Sequence, residues 1–233
     1  MHDSKIRMGY GAMRELHRRL AFSHEAPLSR EPRSTISSAA EDTTVRRLGG
    51  ANMSAADSLG KIMLEDTELT FRKQKELAER AMAQVDDEQF FRTIDAESNS
   101  IAIIAKHVGG NLRSRWTDFL TTDGEKPDRD RDGEFIAPDS GGRARVMEVW
   151  NGGWAVFFST FATLRADDLS ATVRIRSEAM TAVAAMHRAM AHVAQHVGQI
   201  VLLAKHYRSS DWKTLSIPRG QSSQWLNAPP SHR

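Results

Sequence analysis

Residues 185–206 read Ala185-Met186-His187-Arg188-Ala189-Met190-Ala191-His192-Val193-Ala194-Gln195-His196-Val197-Gly198-Gln199-Ile200-Val201-Leu202-Leu203-Ala204-Lys205-His206, and they hold four of the chain's nine histidines. Ala, Met, Leu and Gln favour a helix and no proline interrupts the run, so it reads as one helix. His192 and His196 are four residues apart. Four residues turn a helix by about 400° and advance it about 6 Å, so both imidazoles leave the same face. Two neutral imidazoles so placed can hold one divalent metal ion through their ring lone pairs, and a third ligand must then come from another part of the chain.

Upstream of this run lie three further segments with helical spacing. The first spans about Ser58 to Val85, where Leu64, Phe71, Ala78, Met82 and Val85 form one apolar stripe. Asp86-Asp87-Glu88 then ends or restarts the chain. The second runs from about Glu97 to Leu120, with Ile101, Ile104, Val108, Leu112 and Phe119 as its core stripe. Beside it runs a stripe that is polar in the middle: Ile103, His107, Asn111, Ser114. The third spans about Arg143 to Arg165 and carries Met147, Trp150, Trp154, Phe157, Phe161 and Leu164, an aromatic stripe that reads as core. Thr172 to Arg176 alternates and reads as a short strand or extended segment. The fourth helix is expected from about Glu178–Thr181 to Tyr207, with Trp212, Leu215 and Ile217 packing back after it.

Residues 121–142, between the second and third helices, are expected to form a long loop too charged and turn-rich to enter a core. Asp128-Arg129-Asp130-Arg131-Asp132-Gly133 imitates the start of a calcium loop, but the closing glutamate is missing. The pattern divides the chain into a disordered or weakly structured arm over 1–57, an all-α four-helix bundle over 58–217 and a tail over 218–233.

Composition narrows the function. Formal net charge is +2; the first fifty residues carry nine Lys and Arg against six Asp and Glu, which leaves the remainder at −1. The bundle therefore has no field to draw nucleic acid or an anionic membrane. Zero cysteines exclude disulfides, zinc–thiolate sites and a cysteine nucleophile. No apolar run reaches the ~18 residues of a membrane span, and the first residues lack the apolar stretch of a secretory signal, so no signal and a cytoplasmic protein are expected.

His107 is the best third ligand, because it alone sits mid-helix outside the fourth helix. His187 lies about 140° around the fourth helix from His192, and His206 about 21 Å along it, so neither joins the pair. Asn111 and Arg115 follow His107 at one and two turns, and Gln199 follows His196 by three residues; all three can stand behind the ligands or meet a substrate.

Lys106-His107-Val108-Gly109-Gly110-Asn111, Arg115 to Pro127, His192-Val193-Ala194-Gln195-His196-Val197-Gly198-Gln199-Ile200 and Ser216-Ile217-Pro218-Arg219-Gly220 together resemble an uncharacterised bacterial branch of the DinB/YfiT-like superfamily. The similarity covers about Met63 to Asn227 and leaves the N-terminal arm without a counterpart. It implies an up-down-down-up bundle, the 121–142 segment crossing between helices 2 and 3, and a homodimer. It also implies a divalent metal on the positions matching His107, His192 and His196; imidazole suits zinc, nickel, copper and iron alike, and zinc or nickel is expected. Three neutral imidazoles leave the ion its full charge and open positions, which suits activation of a water or thiol. Thiol-S-transferases and a thiol-dependent isomerase are among the superfamily's characterised members. The expected function is accordingly a metal-dependent enzyme, thiol-S-transferase-like or hydrolase-like, acting on a small molecule, with a low-molecular-weight thiol as one candidate. The alternative is a non-catalytic protein whose metal stabilises the bundle. The aromatic stripe and the apolar tail around Trp212 and Leu215 add a second ground for the dimer if one bundle cannot cover them.

A chain beginning near Ser58 is expected to fold and bind metal like the full chain. Limited proteolysis should remove residues 1–50 first; early cleavage inside the bundle would contradict the division.

Overall fold

The computed structural model describes residues 54–136 and 142–226, so the arm lies outside the described residues up to position 53. The described chain is mostly helical. It contains α1 (Ala55–Met82), α2 (Asp87–Phe91), α3 (Ile101–Trp116), α4 (Arg143–Phe161), α5 (Ala182–Arg208) and α6 (Ser222–Leu226), with a two-stranded hairpin of β1 (Thr172–Ile175) and β2 (Glu178–Thr181). No described helix is long and apolar enough to cross a membrane.

Helix boundaries follow their caps. Ser54 and Asp57 form a reciprocal capping box, which starts α1 three residues before the apolar stripe suggests. The acidic Asp86 run does restart the chain: Asp86 caps the one-turn α2, and Phe90 is wholly buried behind it. Ser100 caps α3 by accepting from the Ile103 N–H, placing its start later than Glu97.

The predicted apolar stripes meet in one core. Phe71 on α1 packs against Trp116, Trp154 and Phe157, and Trp116 stacks on Phe119. Trp150, Trp154, Phe157 and Phe161 are at most 3% exposed within this one chain. The stripe is therefore not surplus apolar surface, and that ground for a dimer falls. Trp212 and Leu215 pack back on the core as partly buried residues.

β2 corrects the purely helical reading. Glu178, Ala179 and Met180 are good helix formers, but cross-strand pairing puts Met180 opposite Val173 and Ala179 opposite Arg174. The two-residue turn between the strands has positive φ at both Arg176 (56°) and Ser177 (64°), the twist a tight hairpin needs, without the usual Gly or Asn. The carboxylate of Asp123 compensates by accepting both turn N–H groups, at 2.8 and 2.6 Å. Thr181 then caps α5.

Helices α3 and α4 approach closely. A Cβ on Gly109 would lie 2.5 Å from the Val149 carbonyl oxygen, and one on Gly153 would overlap the Gly109 carbonyl. Backbone meets backbone there, two residues after His107. Gly152, next in the chain, faces open space. Gly153→Ala is expected to lower stability by about 1–3 kcal/mol through overpacking. Gly152→Ala should raise it by roughly 0.5–1 kcal/mol, since alanine is the better helix residue. Urea midpoints of the two variants check this; shifts of equal sign would refute the contact.

Candidate metal centre

The polar stripe of α3 faces the 121–136 segment and α5. Ser114 Oγ donates to the Gly124 carbonyl (2.8 Å) and accepts from the Lys126 N–H (3.1 Å). Arg115 donates to the same carbonyl (2.6 Å) and to Glu125 (3.0 Å). The segment is thus fastened along the helix, and it carries charge inward. Glu134 is 8% exposed, and the Arg129 side chain is 5% exposed. The expectation that this loop is too charged to enter a core is wrong for these two residues. Their opposite charges enter as a bidentate pair, Arg129 Nε and Nη2 donating to the two carboxylate oxygens at 2.9 and 2.8 Å, which offsets the desolvation each would suffer alone.

Glu134 also receives the Nδ1–H of His107 at 2.8 Å. That bond assigns the His107 tautomer and leaves its Nε2 lone pair free. Across on α5, His196 Nδ1–H donates to Gln199 Oε1 at 2.7 Å, with the same result. His192 lies between them, its Nε2 3.1 Å from that of His107 and 3.2 Å from that of His196. Metal–nitrogen bonds of about 2.0–2.1 Å place tetrahedral ligand atoms roughly 3.3 Å apart, so these separations suit a shared ion. The three histidines are close enough to bind a metal ion. At least two of the converging ring nitrogens present lone pairs, a donor set that fits a divalent cation.

Of the other sequence candidates, Gln199 touches a triad histidine, while Arg115 and Asn111 line the adjoining cavity with His107 and His192. His187 and His206 are exposed, apart from the cluster. Glu134 and Arg129 were missed. Their one sequence trace is Gly110, where a Cβ would overlap the Glu134 carboxylate. A glycine in the polar stripe of a helix marks a close approach, although it does not name the partner.

Electrostatics keep the two imidazoles on α5 neutral. Burial, then the neighbouring His196, His107, Arg129 and Arg115, pushes His192 down to about 3. Burial likewise lowers His196, against the opposing Gln199 bond. Burial raises the Glu134 carboxyl, but the hydrogen bonds from His107 and Arg129 outweigh it, and the net shift is downward.

For His192 the unfolded chain binds the proton more readily than the folded one. Its contribution is thus fully present above the unfolded value near 6.5 and is lost as pH falls from there toward 3. Glu134 is lost only in a lower window, below its ordinary 4.5. Metal-free protein should therefore lose urea stability between pH 6.5 and 5, and His192→Ala should flatten that part of the profile. An unchanged slope in the variant would refute the buried neutral imidazole.

The sequence profile of a family described as "Protein of unknown function" (DUF1572) matches residues 58–221. No curated protein and no solved structure matches the chain. The profile match covers well over half of the chain, so the chain belongs to the DUF1572 family.

Proposed function

We propose that this chain is a metal-dependent enzyme of DinB-like architecture, its long helices arranged up-down-down-up, in which His107, His192 and His196 hold one divalent ion, zinc or nickel. The observation that carries this reading is the convergence of three ring nitrogens, two of them fixed as acceptors by Glu134 and Gln199, at the edge of a cavity of about 180 Å³. A bound ion at such a site lowers the pKa of a water or thiol and polarises a carbonyl. The chain's own part is positional. Glu134, braced by Arg129, holds the His107 ring and makes it a stronger donor, and Gln199 does the same for His196.

The reaction class that fits is transfer to or from a thiol, or hydrolysis, on a small molecule in the cytoplasm, with a low-molecular-weight thiol as the candidate nucleophile. Three neutral ligands support catalysis over a closed structural site, because they leave the ion's charge uncompensated and coordination positions open. A homodimer is part of this reading and rests on the family resemblance alone. The alternative, a metal that only fastens helices, draws on one observation: His107 stands on α3 and its two partners on α5.

Purified wild-type protein should carry about one metal equivalent, measured by mass spectrometry. His196→Ala should lose it, and His187→Ala and His206→Ala should keep it. Glu134→Gln should weaken affinity by about 10–100-fold, the usual effect of removing a carboxylate behind a ligating histidine. Metal retained by His196→Ala would show the triad misassigned. A loaded protein that admits no exchangeable ligand, yet loses much thermal stability on chelation, would favour the fastening role.

A further inference from the structure

The cavity beside the triad has a one-sided chemistry. Arg115, Arg129, Arg131, Arg176 and Arg188 line it, and among the described residues no carboxylate does. The acids that pair with the inner arginines stand elsewhere: Glu125 and Glu134 line a neighbouring cleft on the loop side. Glu125 gathers Arg115 (3.0 Å), Arg129 (3.2 Å) and Arg176 (2.8 Å), and Glu134 takes Arg129. These bonds hold the guanidiniums in place from behind. Among the described residues, Arg131 and Arg188 have only solvent-screened pairs, with Asp132 at 3.9 Å and Glu178 at 3.7 Å. A cleft lined by one sign of charge concentrates ions of the other, and arginine forks match planar or tetrahedral oxyanions.

A further donor belongs to a residue of the same cavity. Trp116 Nε1 is buried and has no hydrogen-bond partner among the described residues. A buried donor without a partner costs stability unless something supplies an acceptor. Apart from the arginines, His107, His192 and Asn111, the lining is apolar, with Trp116, Phe119 and Ile175 its large side chains.

We propose that this cavity binds a small organic anion, its carboxylate or phosphate head taken by the arginines, with Arg176 and Arg188 at the rim, and its apolar body on Trp116, Phe119 and Ile175. Standing against His107 and His192, it is the substrate pocket of the proposed metal site and in that role rests on the function proposed above. Anion binding itself is separable from metal.

Isothermal titration of the full chain tests this. Phenyl phosphate, phenylacetate and the neutral benzyl alcohol are titrated into zinc-loaded and chelator-treated protein, at low and at moderate salt. At least one anion should bind, weaken with salt, and exceed benzyl alcohol by about tenfold, the preference naming the head group. Arg176→Ala and Arg188→Ala should each weaken it by about tenfold, and Arg188→Lys by less. Both side chains are about half exposed, so these variants are expected to fold, as circular dichroism would verify. Binding of benzyl alcohol equal to that of the anions, wild-type affinity in both alanine variants, or no binding of either anion would overturn the proposal. If the protein holds no metal yet binds an anion in an arginine-dependent way, the anion site stands and the metal function falls. If metal is retained and the arginine variants bind like wild type, the anion site falls alone.

Discussion

The carboxylate of Glu134 is the point on which the site depends. It is buried, and it takes the His107 ring on one side and the Arg129 fork on the other. Remove it and three things change together. His107 loses the bond that sets its tautomer, Arg129 becomes a buried cation with Glu125 as its remaining partner among the described residues, and the loop loses a buried contact with α3. Breaking such a pair from one side is far more costly than never having built it, because the orphaned charge stays in low dielectric. Gly110 belongs to the same arrangement, since only the absence of a side chain there lets the carboxylate approach the helix.

A second carboxylate organises the outer layer. Glu125 is held down to about 2: burial raises it, and the hydrogen bonds from Arg176 and Arg115 more than reverse that. Through it the loop, α3 and the hairpin turn share one charge network. Asp123 adds the backbone half of the connection, both by its side chain on the hairpin turn and by the bridge that sets it beside Arg174. Residues 121–136 are therefore a working wall of the site, and the network explains how so polar a segment, with only a short 3-10 turn at Gly133–Phe135, is held against α3.

The stripes of α1, α3 and α4 were legible from sequence because helical period and burial coincide: Phe71, Val108, Leu112 and Trp154 are all buried where the spacing puts them. The histidine pair was legible for the same reason, since an interval of four is a local geometric fact. His107 could be chosen by elimination, as the one histidine that sits mid-helix outside the fourth helix. Glu134 and Arg129 could not. Each is one of many charged residues in a run without period, and what buries them is a partner distant in sequence. β2 was hidden by propensity, because Glu-Ala-Met reads as helix until the turn before it is known to reverse the chain. That turn could not be foreseen, as it is built from Arg176 and Ser177 and supported by Asp123 from outside the hairpin.

The span of chain between the contacting histidines carries a last consequence. His192 and His196 share one helical turn and can meet while most of the chain is still unfolded. His107 comes to them from 85 residues away. Any ligand that bridges the two helices at this point acts as a reversible cross-link on a long loop, and in the chain-entropy picture closing a loop of that length restricts the unfolded ensemble by between about 4 and 5 kcal/mol. The local pair would capture the ligand early, and recruitment of His107 would then be the step that converts capture into a topological constraint. Occupancy of the site would thereby govern the refolding rate as well as the resting stability, with the slow step set by how quickly α3 finds α5.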